Sequence, residues 1–152
     1  MHACAAAGAG FLIAVLWFDL MFDIQVRPHA GDVLPSAVLA SIGAYYRRVT
    51  TEARPMNRLI AAVMLLTLAV LAGEIAQGQS PRWIGWLSFP LALSAIGLAI
   101  GRIVPNAIRL GRAGDSATVQ SRLARAIYRE HVYCLAAMAL VAALQLLAPE
   151  MN

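Results

Sequence analysis

Of 152 residues, 61% are hydrophobic and only 13% are charged, against about 25% charged in a soluble domain, which leaves too little polar surface for solubility and predicts an integral membrane protein. All twelve cations are arginine, so a lysine Schiff-base enzyme or a retinal pigment is excluded. The net charge of +4 is not read as a nucleic-acid signal, because the arginines flank apolar spans, where charge sets topology.

The first apolar segment covers about residues 3–26, long enough to cross a hydrocarbon core. No arginine precedes it, and its second half holds Trp17, Asp19 and Asp23, so it is expected to be a retained helix rather than a secretory leader. Pro28, Gly31 and Pro35 then mark an irregular connection. From Ser36 to about Thr51, Val38, Leu39, Ile42, Tyr45, Tyr46 and Val49 recur at near-helical spacing. That pattern fits an amphipathic helix at the interface, an extension of the second span, or a solvated loop helix.

The second span, about 57–77, follows Pro55, which suits a first helical turn. The third, about 83–104, contains Pro90, and membrane helices tolerate such a kink when neighbours satisfy the freed carbonyl. Gly111 and Gly114 are expected to break the chain before a helix over about 116–129 capped by Asp115 or Ser116. The fourth span covers about 130–147. The fold expected is all-α: a single polytopic membrane four-helix bundle over 1–152 with amphipathic cytoplasmic connecting helices. Gly97 and Gly101, and the Ala/Gly run from Ala5 to Gly10, offer close helix approach within the bundle or in a homo-oligomer.

Eleven of the twelve arginines fall in or beside the connections after the first and third spans, and only Arg82 falls on the other side. The positive-inside rule then places both long connections in the cytoplasm and both termini outside a bacterial-type inner membrane, with Trp83 and Trp86 in the outer aromatic belt.

Depth along each helix, at about 1.5 Å per residue, brings polar groups from three spans to one level. Asp19 and Asp23 lie one turn apart on the first, Arg102, Asn106 and Arg109 share a face of the third, and Glu130, His131 and Cys134 open the fourth. An ionisable group inside a span is costly unless paired or facing a cavity. Asp19 is therefore either a metal ligand, proton carrier or ligand anchor, or half of a packing ion pair with Arg102 or Arg129. His131 and Cys134 share a helix face and offer nitrogen and sulfur to a soft metal, which Asp23 and His29 would join if the first connection folds back under the bundle. Glu74, near the end of its span, is expected to reach the headgroups. Cys4 and Cys134 are too far apart in sequence to suggest a disulfide framework. Phosphate-loop, G-x-S-x-G, HExxH and haem CxxCH motifs are all absent from the sequence.

The span from Gly8 to Phe22 with its Pro-rich sequel, the Tyr45-Tyr46-Arg47-Arg48 helix, the Ile103-Val104-Pro105-Asn106 ending of the third span and the fourth span opening at His131 together resemble the anthrone oxygenase-like family of small four-helix membrane proteins. The resemblance implies oxidation of a phenolic polycyclic substrate by dioxygen, with copper or another transition metal, and carries over Asn106 and His131. The leading expectation is thus a membrane oxidoreductase acting on an apolar small molecule, with Asp19 and His131 catalytic, Tyr46, Arg102 and Asn106 orienting the substrate, and His131, Asp23, His29 and Cys134 as metal ligands. A proton-coupled transporter or ligand binder using Asp19, and a non-catalytic subunit docked on a membrane partner protein, are the alternatives.

Overall fold

The computed structural model describes residues 1–79 and 81–147, Arg54 by its backbone alone, and among them every regular element is helical. Helix α1 (His2–Asp23) ends in a 3-10 turn, Ile24–Val26, and α2 (Ser36–Arg47) ends in a π-helical turn, Arg48–Glu52. After α3 (Arg54–Ala76), α4 (Arg82–Leu98) runs through a second π turn, Ala99–Ile103, into α5 (Val104–Arg112), and α6 (Ala117–Leu147) follows. Four stretches, His2–Val26, Pro55–Ala76, Arg82–Arg112 and Ala117–Leu147, are long and apolar enough to cross a bilayer. The chain is a multi-pass helical membrane protein.

Two boundaries differ from the sequence expectation. The helix expected over 116–129 and the fourth span are one helix, α6, capped where the hydroxyl of Ser116 accepts from the Val119 amide at 3.4 Å. The break before it includes Gly114, as expected, and begins at Ala113, in the left-handed region at φ 51°, whereas Gly111 is helical. The π turn in the third span has a local cause. Pro105 has no N–H for the carbonyl of Gly101, and a widened turn accommodates the missing bond.

In the bundle α1 and α4 each lie between α3 and α6. Lipid tails are as apolar as leucine, so close packing and interhelical hydrogen bonds hold the helices together. Ala5 and Ala9 are completely buried, and a methyl on Gly8 would collide with the hydroxyl of Thr67 on α3. Gly97 and Gly101, by contrast, have none of the described residues within 4 Å of an added methyl.

At the end where the arginines gather, α2 crosses α5, burying Leu39, Ile42 and Tyr46. The connection before it is pinned to α6: Arg125 donates to the carbonyls of His29 (2.8 Å) and Gly31 (2.5 Å), and Ser121 accepts from the Leu34 amide at 2.9 Å.

The opposite end holds a polar layer to which each spanning helix contributes one side chain. His2 Nδ1 lies 2.6 Å from Gln145 Oε1, and the Gln145 amide donates to Glu74 and Ser88 at 3.1 Å each. Glu74 is 2% exposed. Its expected reach to the headgroups is overturned, because three neighbouring helices at that end enclose it.

Candidate functional site: a histidine between two carboxylates

Asp19 and Asp23, one helical turn apart on α1, both face His131 of α6. The fully buried Asp23 accepts from His131 Nδ1 and from the Tyr46 hydroxyl, each at 2.6 Å. With Nδ1–H held by this carboxylate, His131 Nε2 is turned the other way, 3.8 Å from Asp19 Oδ2. Asp19 in turn accepts from the Tyr45 hydroxyl at 2.6 Å, and its side chain is 18% exposed. The order across the site is Tyr46, Asp23, His131, Asp19, Tyr45. Two adjacent residues of α2 thus serve two residues one turn apart on α1, and the Tyr45 ring stacks on Phe22 at 4.0 Å to fix the first of them.

Burial, and after it the charges of Asp19 and Asp23, push both phenols well above their ordinary pKa of 10.0. They are held as hydrogen-bond donors. Because the folded-state values are raised, the associated stability is fully present below about pH 10 and is lost as pH rises through the folded values. An ultraviolet titration of the intact protein is expected to show Tyr45 and Tyr46 resisting ionisation until the fold is lost. Tyr45→Phe and Tyr46→Phe should each remove one resistant group, and four tyrosines ionising together in the ordinary range would contradict the geometry.

Beside this cluster lies a cavity of about 430 Å³ lined by α1, α2 with its π turn, α3, α6 and the helix running from α4 into α5. Its polar lining is Asp19, Tyr46, Thr50, Asn57 and His131, all toward the arginine-rich end, and Cys134 adds a thiol. Leu12, Ile96 and Met138 typify the apolar remainder. The site can present a histidine nitrogen, backed by a buried carboxylate, to an apolar molecule.

Asp19, Asp23, His131 and Tyr46 therefore come together. Arg102 and Asn106, expected to orient a substrate, are not among the lining residues. Arg102 is 64% exposed along its side chain and pairs at 2.8 Å with Glu130 rather than with Asp19. The metal set His131, Asp23, His29 and Cys134 is not gathered. His131 Nδ1 is committed to Asp23, Cys134 Sγ donates to the Ala95 carbonyl at 3.5 Å, and His29 lies outside the lining. Among the described residues no three His, Cys, Asp or Glu side chains are placed to hold an ion. His131 Nε2 and one Asp19 oxygen are too few donors for copper, so the residues do not fit the group that the resemblance implies.

Sequence reasoning missed Tyr45, Thr50 and Asn57 at the site. A tyrosine pair at the end of an amphipathic helix was the available signal for the first, since buried phenols seek acceptors. No family model matches the chain, and neither a curated protein nor a solved structure matches it.

Proposed function

We propose that the chain is a membrane oxidoreductase of oxygenase type in which His131 takes a proton from an apolar, lipid-soluble acid. The observation that carries this reading is His131 in the cavity lining, with Nδ1 held at 2.6 Å by a fully buried Asp23, so that Nε2 is the ring nitrogen not committed to that carboxylate. A carboxylate behind an imidazole fixes the tautomer and stabilises the imidazolium formed when Nε2 accepts a proton. Asp19, 3.8 Å from Nε2, stands as a second carboxyl group beside that imidazolium. In the proposed reaction Nε2 takes the proton of an acidic C–H, leaving its electron pair on a conjugated substrate. Dioxygen, named as the oxidant by the resemblance to anthrone oxygenases, oxidises the resulting anion. Overall, a CH₂ carbon becomes a carbonyl, one oxygen atom enters the substrate, and the other leaves as water with the two hydrogens.

The arrangement of arginines supports a placement with this site toward the cytoplasm and both termini outside, in a bacterial-type inner membrane. A proton-linked ligand binder is the second reading, favoured by Asp19 standing on the cavity wall with Tyr45 as its only hydrogen-bond partner among the described residues.

The test supplies anthrone, an apolar polycyclic C–H acid, to protein in liposomes and measures dioxygen consumed and anthraquinone formed. His131→Ala is expected to lower the rate by about 100- to 10,000-fold, the usual contribution of a positioned base. An equal rate in the variant, or none in the wild type, contradicts the oxygenase reading. If anthrone binds without turnover and Asp19→Asn abolishes the pH dependence of that binding, the ligand-binder reading stands instead.

A further inference from the structure

The cavity is covered by packed side chains toward the arginine-rich end and has strongly exposed lining residues on one side. At that end α2 crosses α5, with Tyr46, Ile103 and Ala107 all buried, and Asn57 at the start of α3 donates to the Thr50 carbonyl at 3.3 Å. Between α3 and the helix leading from α4 to α5 the packing is different. The buried residues of α3 are Thr67, Leu71 and Glu74, all toward Ala76, where Gly85 of α4 lies against Ile75 and Glu74. Toward the other end of α3, Leu65 lines the cavity yet is 64% exposed, and across the gap Ile100 and Val104 likewise both line it and face outward. A residue that lines a cavity and also lies on the surface marks its mouth. This mouth opens at bilayer depth, within the spanning segments Pro55–Ala76 and Arg82–Arg112.

We infer that the cavity fills sideways from the bilayer, through a gap between Leu65 on α3 and Ile100 and Val104 on the opposing helix. The compound it admits is an amphiphile with one weakly acidic head and a lipid-soluble body. The lining orients it: the head meets Asp19, Asn57 and His131, while the body extends toward Leu12, Ile96 and Met138. The large exposed lining side chains lie on the bilayer side and not at the packed α2 end, so in this proposal specificity begins with partitioning into lipid. The acidic head rests on the proposed role of His131, whereas the route rests on helix packing alone.

Cys134, which lines the cavity and is 2% exposed, provides a reporter of entry that is independent of any catalysis. In full-length Cys4→Ser protein in phosphatidylcholine liposomes, its alkylation is followed by mass spectrometry. The reagent is N-phenylmaleimide, which dissolves in lipid, or a sulfonated maleimide, which does not. The thiol adds across the maleimide double bond, sulfur bonding to one carbon and a proton going to the other. Leu65→Trp and Ile100→Trp are expected to slow the lipid-soluble reagent about tenfold, equivalent to about 1.4 kcal/mol of barrier. Leu66→Trp, at a neighbouring position 63% exposed but outside the lining, should leave the rate unchanged, and the sulfonated reagent should react only after denaturation. Equal rates for the Leu65 and Leu66 variants, rapid reaction of the sulfonated reagent, or a wild-type thiol inert to both reagents would overturn the route. The anthrone assay on His131→Ala would still decide the catalytic reading separately.

Discussion

Asp23→Ala is expected to cost roughly 3–5 kcal/mol of stability, the usual result of removing one partner from a buried ionic hydrogen-bond group. Asp23 is fully buried and both of its oxygens are engaged, one by Tyr46 and one by His131. Truncation removes the acceptor that a buried phenol hydroxyl and a buried imidazole N–H share. Asp23→Asn keeps one acceptor and should cost less, and Tyr46→Phe, which leaves the pair with His131 intact, should cost least. Denaturant unfolding in detergent micelles would rank the three. A loss below about 1 kcal/mol for Asp23→Ala, the size of an ordinary point substitution, would mean that the cluster does not hold the fold.

Gly111→Ala is the second large effect, expected at about 1–3 kcal/mol through overpacking. The added carbon would stand 2.7 Å from the backbone nitrogen of Arg47 and 3.0 Å from its Cα, so one of two crossing helix backbones must move. Because α2 carries both tyrosines of the site, the shift should also loosen the hydrogen bonds to Asp19 and Asp23. Gly97→Ala is the control, since nothing lies within 4 Å of its added carbon. It should be neutral or stabilising by up to about 1 kcal/mol from helix propensity. The same unfolding measurement compares them, and a harmless Gly111→Ala would show that α2 and α5 do not cross as closely as described.

The four spans were readable because a long apolar run has few alternatives to a membrane helix, and the meeting of Asp19, Asp23 and His131 followed from depth alone. Depth is a single coordinate, however, and the errors came from the others. Arg102 is at the right depth for Asp19 but pairs with Glu130, and neither it nor Asn106 joins the cavity lining. Glu74 was read as a headgroup contact from its distance to the span end, with no information about the three helices enclosing it. Tyr45 was read only as part of an apolar stripe, although its hydroxyl is what engages Asp19. Of the two small-residue stretches, the Ala5 to Gly10 run makes its close approach within the bundle at Gly8, Gly97 and Gly101 make none with the described residues, and the tight contact at Gly111 has no such motif around it.

If His131 offers a fixed nitrogen to whatever occupies the cavity, nitrogen-15 NMR of the imidazole in protein held in liposomes will show it. Nδ1 is expected to be protonated and hydrogen-bonded in the absence of any additive, and saturating the bilayer with 2-naphthol, a lipid-soluble weak acid, is expected to shift Nε2 while leaving Nδ1 in place. An Nε2 resonance indifferent to the naphthol, or an Nδ1 without its proton, would contradict that arrangement.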